Sequence, residues 1–561
     1  MVCFTTENSN KNGKKYLVTC ALPYANGPLH LGHIRSTYLP ADIYARYLRL
    51  AGNDVVFVCA TDEHGTPIVA ASEKAGKTPQ AFVDYYHERD KAEFSQLGFS
   101  FDIFYRTSSP ENKELTQHFF TRLSENGHIY EREVSQAYCE KDKRFLPDRF
   151  VIGTCPHCGS EGQYSDYCDN CGKALTAGEI LKPKCLHCGT TPTTRITKHY
   201  FFRLSSFSDS LRDYLKGNRE LQAPVVNYVL DWIGKGLNDW DITRDLDWGV
   251  PVPGEHGMVF YVWFDAPIGY MSSTVKLLGS REKFAERWRD SKVVHFIGKD
   301  IIYHHFLFWP AMIAGTKEFK LPEAIPVRGY LNLQGRKFSK SKNWFVSLED
   351  YLKAFPPDYL RYYVTSITPH NVEDADFYWK DFSDKVNNEL VASIGNFVHR
   401  TLTLIKRNAD SRIPTIDTSQ LDDADKSVLA RITTAKTRTA ELLEKYEVKS
   451  GLEEIVALSG ELNRYLSSRE PWKDTDAGRV ARTLYISTRG ITALGVLLYP
   501  YLPFTSEKLF DMLHIDAKKL RWNDADRELL KQGTVLGEFA PLFVKVDETQ
   551  IAAQEEKLGK V

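Results

Sequence analysis

Two nearly unbroken apolar runs, YLVTCAL at 16–22 and DVVFVCAT at 54–61, enclose a loop (PYANGP) and a helix-patterned segment from about Leu31 to Leu50. A strand with one wet face alternates in polarity, whereas a strand apolar throughout is covered on both faces. Strand–helix–strand order with such strands means a parallel sheet and crossover helices. A third run, VVHFIG at 293–298, again leads into an apolar helical segment, reaching Ala314. Two such pieces separated by roughly 230 residues read as one α/β sheet interrupted by an insertion.

The insertion holds a Gly- and Cys-rich stretch, about Tyr138 to Lys198, with short turns and no long periodic pattern. Six of the ten cysteines lie in CxxC pairs. That clustering suits metal binding in a reducing compartment, hence the cytoplasm, better than a disulfide framework. Cys155-x2-Cys158-x9-Cys168-x2-Cys171 offers four thiolates at zinc-knuckle spacing, a structural site. Cys185 and Cys188 supply half of another tetrahedron. Cys3, Cys20 and Cys59 have no partner by spacing and read as thiols in or near the core.

Past residue 380 the apolar positions recur at three and four over 383–408, 421–446, 450–469 and 479–499, which predicts a helical bundle. The last twelve residues are polar and are expected to fray. No apolar run reaches the about 18 residues of a membrane span, so a soluble protein is expected. Lys and Arg (72) balance Asp and Glu (73), so a nucleic-acid surface has to be a local patch.

His30-Leu31-Gly32-His33 falls where the first loop becomes a helix. Helix-start N–H groups favour anions, glycine admits a flat ligand, and two imidazoles can donate to phosphate oxygens. Arg336, Lys337, Lys340 and Lys342 place four cations in a segment punctuated by Gly335, Ser339 and Ser341, with Phe338 apolar. Such a loop can neutralise charge on a triphosphate.

HLGH followed downstream by KFSKS resembles the signature pair of class I aminoacyl-tRNA synthetases. Within them the chain is similar to the methionyl-tRNA synthetases through CALPYANGPLHLGH, CATDEHGTP, FLPDRFVIGTCPHC, YVWFDAPIGYM, HFIGKDIIYHHFLFWPAM, GRKFSKSK and ELNRYLSSREPW. Phe338 stands where the family usually has Met, an apolar exchange that leaves the lysines in place. Synthetases for leucine, isoleucine and valine share the signatures but carry a large editing insertion for which this chain lacks room. A nucleotidylyltransferase would not need the helical half, and a zinc-knuckle RNA-binding protein would not need WFDAP or KFSKS.

The resemblance implies a Rossmann-type catalytic domain in two halves (1–123 and 253–330) split by a zinc-knuckle connective insertion (124–252). A KFSKS loop and stem-contact segment (331–387), a helical anticodon-binding domain (388–540) and a tail (541–561) would follow. It implies activation of L-methionine with ATP and magnesium, then transfer to the terminal adenosine of tRNA(Met). His30, His33, Lys337 and Lys340 would be catalytic, and Gly32, Gly298 and Asp300 would hold ATP with them. For Gly298 a simple strand-to-helix turn is the competing reading. Asp62 would receive the substrate ammonium; Leu22, Tyr24, Trp263, Ala266, Pro267, Tyr270, Ile301 and His305 would surround the side chain, with the Tyr270 hydroxyl and the Leu22 N–H donating to sulfur. Asn396, Arg400 and Trp472 would read a CAU anticodon. Cys139 and Asp142, in a CxxD arrangement, would join Cys185 and Cys188 in a second, weaker zinc site, for which His157, His187 or water are alternative ligands. The chain shows no appended oligonucleotide-binding domain of the kind that dimerises some relatives, so a monomer is expected.

Overall fold

The computed structural model describes residues 13–559 apart from 166, 167, 169, 172, 174, 176, 177, 340 and 341. Lys340 and Cys3 therefore lie outside the described residues. Five parallel strands form the central sheet: β1 (Lys15–Cys20), β2 (Asp54–Thr61), β3 (Ile103–Arg106), β4 (Lys292–Gly298) and β5 (Val327–Arg328), in the order β5-β4-β1-β2-β3. Leu17 of β1 stands opposite Val56 on one side and Val293 on the other, so the two sequence pieces meet at β1. The chain leaves β1 for β2 on one flank and returns as β4 on the other. This reversal opens a crevice beyond the strands' C-terminal ends, where open α/β sheets bind ligands.

Both faces are covered, as the strand composition requires. Val18, Phe57 and Phe296 face a core that continues without a break into the helical half. Leu17, Val58 and Val293 face a second core with Phe119, Trp309 and Met312. The helical half consists of a run from Trp379 to Asn408, then Asp423–Glu444, Val448–Arg469, Ala477–Leu498 and Pro503–Met512. Within the first run residues Val386–Gly395 wind as a π-helix.

One expectation needs correction, and the insertion holds an element that the sequence did not reveal. Flanking and framing the Cys-rich stretch, Ile129–Cys139 and Thr193–Phe202 form a long antiparallel arm, in register from Ile129 opposite Phe202 to Tyr138 opposite Thr193. Most of its outer residues are solvent-exposed or half-buried on both faces. A ribbon wet on both sides has no polarity alternation to read, only β-branched and aromatic residues. Cys139 ends the arm's first strand, and the CxxC cysteines lie beyond the arm, around a small sheet of Val151–Thr154 flanked by Gln163–Tyr164 and Leu181–Cys185. The polar end of the chain does not fray from residue 550: Glu548–Glu555 is a helix with Ile551 buried, started by reciprocal bonds between Asp547 and Gln550. Asp-x-x-Gln is a capping box legible in the sequence.

Candidate active site

His30 is the extended N-cap of the short helix Leu31–His33, which continues through a π-turn into Leu39–Leu50. Its Nδ1 accepts the Gly32 N–H at 3.2 Å, and His33 Nδ1 accepts the His30 N–H at 2.9 Å. Backbone amides only donate, so both Nδ1 atoms are bare and each neutral ring carries its proton on Nε2. The HxGH string thus makes two stacked rings, 3.8 Å apart, each with an Nε2–H donor of fixed direction. Gly32 is required by space: a β-carbon there would lie 2.9 Å from His30 Nδ1 and 3.1 Å from the Phe338 ring.

These rings line a cavity of about 860 Å³ at the crevice. All the described residues expected to serve ATP, methionine or catalysis line it too: Gly32, Gly298, Asp300 and Lys337, with Leu22, Tyr24, Asp62, Trp263, Ala266, Pro267, Tyr270, Ile301 and His305. Gly298 has an ordinary extended backbone (φ −82°), and a β-carbon would meet Asp300 Oδ1 at 2.5 Å. Its glycine serves close approach of Asp300 rather than a turn. Burial raises the Asp300 carboxyl above the usual carboxylate range.

Asp62 extends β2 and is locked to the loop after β1 by N–H to Pro23 C=O (2.8 Å) and C=O from Ala25 N–H (2.9 Å). Its acidic neighbours already have cationic partners: Glu63 pairs with Arg106 at 2.9 Å, and Asp265 with His64 at 2.7 Å. Asp62 Oδ1 is buried without a hydrogen-bond partner. Burial, then the charges of Asp265 and Glu63, push its carboxyl well up. Such a group in a cavity wall calls for a cation.

The aromatic wall is tightly specified. Burial lowers His305 to about 4, so the ring is neutral near pH 7; its Nδ1–H donates to the Ile301 carbonyl at 3.1 Å. The bare Nε2 then accepts a hydrogen bond from the Tyr270 hydroxyl at 2.9 Å. Tyr270 therefore spends its proton on His305 here, and donation to a thioether requires that bond to break. Trp263 stacks on His304 at 3.7 Å.

Lys337 belongs to a two-residue strand, Arg336–Lys337, paired with Leu331–Leu333. Phe338 stacks on His30, 4.7 Å and 6° from parallel, so the two signature motifs touch through rings. The cavity is also lined by Arg149, Arg244, Trp248 and Asn332, none of which the sequence reading assigned. Arg149 lies inside the FLPDRF match; Arg244, lying over the Tyr261 ring at 4.1 Å, had no local signal.

Away from the cavity, Cys155, Cys158, Cys168 and Cys171 bring their sulfurs together, with Cys155–Cys171 at 3.9 Å and Cys158–Cys168 at 3.6 Å. A tetrahedron of thiolates about 2.3 Å from a metal has edges of about 3.8 Å. Cys139, Asp142, Cys185 and Cys188 converge likewise: Cys139–Cys188 is 3.4 Å, and Asp142 Oδ2 is 3.2 Å from both Cys139 and Cys185. Both sets fit a metal ion. His187 is instead paired with Glu73 at 3.0 Å. In the helical half Arg400 lies over the Trp472 ring at 4.9 Å, Trp472 is 39% exposed, and Asn396 lies one helical turn from Arg400.

Residues 16–402 match the family described as tRNA synthetases class I (M), and residues 414–561 match the anticodon binding domain of methionyl tRNA ligase. The methionine–tRNA ligase of Methanopyrus kandleri is 44% identical over 552 residues, covering 96% of this chain and 81% of that protein. That of Thermococcus onnurineus is 45% identical over 530 residues, covering 91% and 72%. A structure of Mycobacterium tuberculosis methionyl-tRNA synthetase in complex with methionyl-adenylate superposes with a TM-score of 0.80 at 28% identity, covering 94% of this chain and 99% of that one. With both family matches in sequence order, close relatives over nearly the full length and the same architecture in solved structures, this chain belongs to the methionyl-tRNA synthetase family of class I.

Proposed function

We propose that this chain activates L-methionine with ATP, as its magnesium complex, to methionyl-adenylate and pyrophosphate, then passes methionine to the terminal adenosine of a tRNA with a CAU anticodon. The observation that carries the reading is one cavity holding both a buried carboxylate with one unpartnered oxygen, Asp62 Oδ1, and the oriented His30–His33 pair. Asp62 receives the substrate ammonium, and Trp263, Pro267 and Ile301 enclose its side chain. The substrate carboxylate attacks the α-phosphorus; His30 and His33 donate through Nε2 to phosphate oxygens, while Lys337 and Lys340 neutralise the departing pyrophosphate. Asp300 accepts from the adenosine ribose. No covalent enzyme intermediate is needed. The test is aminoacylation of two transcripts, one with CAU and one with a changed anticodon: charging of the first alone supports the reading, and equal charging opposes it.

Anticodon recognition is assigned to Asn396, Arg400 and Trp472, an exposed indole already stacked with a guanidinium being a platform for an unpaired base. Trp472→Ala should lower aminoacylation kcat/KM by about 5- to 150-fold, the stacking loss of one base, and spare tRNA-independent pyrophosphate exchange. Equal loss in both assays would make Trp472 a structural residue.

The four-cysteine set is assigned to a structural zinc, and Cys139, Asp142, Cys185 and Cys188 to a second. A carboxylate is a harder ligand than a thiolate, so the second ion is held less tightly. Metal analysis should find two zinc ions per chain, and graded chelation should remove one first; Cys171→Ser should lose the ion that resists longer. Simultaneous loss of both would contradict the ranking. Thiols in such sets suit a reducing cytoplasm, and no helix among the described residues is long and apolar enough to cross a membrane.

A further inference from the structure

Residues 548–559 take no part in the site as described, yet they touch both ends of the GRKFSKSK loop. The helix Glu548–Glu555 is anchored from upstream, where the Asn387 side-chain amide takes both the N–H and the C=O of Val546, at 2.9 and 2.8 Å. From it, Glu555 Oε1 accepts the Gln334 side-chain amide at 2.6 Å, and the Gly559 N–H donates to the Asn343 carbonyl at 2.9 Å. Leu558 packs on the same apolar cluster as Trp344. Gly559 runs so close to that indole that a β-carbon would lie 3.6 Å from the ring.

Gln334 and Asn343 bracket residues 335–342. Both are non-glycine residues in the left-handed region, with φ of 51° and 46°. Such conformations persist where the surroundings over-determine them, and here the 548–559 segment contacts each. Just outside the bracket, Trp344 ties the loop down: it exchanges two backbone hydrogen bonds with Ser339 at 2.9 Å, its Nε1–H donates to the Leu333 carbonyl, and Arg336 lies over its indole at 4.7 Å. The place of Trp344 thus sets the place of Phe338, which stacks on His30.

We propose that the 548–559 segment is a positioning element for the adenylation step: by holding Gln334, Asn343 and Trp344 it sets Lys337 and Phe338 against His30 in the cavity. The proposal rests on the functional reading above. It also ties the anticodon-binding family match, which includes this segment, to the catalytic loop.

The test uses the full chain with Glu555→Ala combined with Gly559→Pro. Proline removes the N–H and cannot adopt the φ of +73° found at Gly559. Pyrophosphate exchange should lose about 10- to 100-fold in kcat/KM for ATP, the scale of a small misplacement of catalytic groups. KM for methionine and Tm should stay at wild-type values, and Glu555→Gln, which keeps an acceptor oxygen, should behave as wild type. Wild-type kcat/KM for ATP in the double variant would overturn the proposal. So would a parallel loss of methionine affinity and Tm, which would mark the segment as general support. A readout independent of activity is trypsin cleavage after Lys337 and Lys342: faster cutting in the double variant is expected, and equal rates would also overturn the proposal. Absence of methionine-dependent exchange in the wild type would sink the functional reading alone, since the cleavage comparison would still decide whether the segment holds the loop.

Discussion

Asp62→Asn is expected to lower kcat/KM for methionine in pyrophosphate exchange by about 10²- to 10³-fold, the cost of losing one partner of a desolvated charge pair. Asparagine keeps the shape and the backbone pairing to Pro23 and Ala25, so only the charge is lost. The loss should appear in KM for methionine, with KM for ATP unchanged. Stability should respond as well, because Asp62 Oδ1 is buried without a hydrogen-bond partner beside Glu63 and Asp265. The neutral amide should therefore raise Tm of the ligand-free protein. Methionine kinetics that do not change in this variant would remove Asp62 from the ammonium site.

His33→Ala is the second large effect. His33 does two things: its Nδ1 accepts the His30 N–H at 2.9 Å, and its other nitrogen carries the donor assigned to phosphate. Alanine removes both, so exchange kcat should fall by about 10²- to 10³-fold, with methionine affinity retained and a stability loss of about 0.5–2 kcal/mol from the cap. His33→Gln separates the roles, because glutamine at this third helical position can reach back to the N-cap N–H as in a capping box. It should recover Tm but not the rate. Recovery of both would mean that His33 acts only as a cap.

How much of this was legible depends on which physical signal each part leaves in the chain. β1, β2 and β4 were readable because burial on both faces demands unbroken apolar sequence, and the helical bundle because three-and-four spacing survives in long helices. The arm was not, since Thr193–Phe202 is wet on both sides over most of its length and carries no period. The cavity residues were gathered through resemblance: nothing in the spacing of Leu22, Asp62, Trp263 and His305 brings them together, because the sheet does so by pairing β1 with both β2 and β4. The Tyr270–His305 bond and the unpartnered Asp62 oxygen are properties of packing alone. The 548–559 helix had its capping box in plain view, but its contacts with Gln334 and Asn343 join positions more than 200 apart.

The most direct measurement of the central claim is amino-acid-dependent exchange of labelled pyrophosphate into ATP, with each of the twenty amino acids separately and without tRNA. The account predicts exchange with methionine alone. Exchange with leucine, isoleucine or valine, or none with any amino acid from folded, zinc-replete protein, would contradict it.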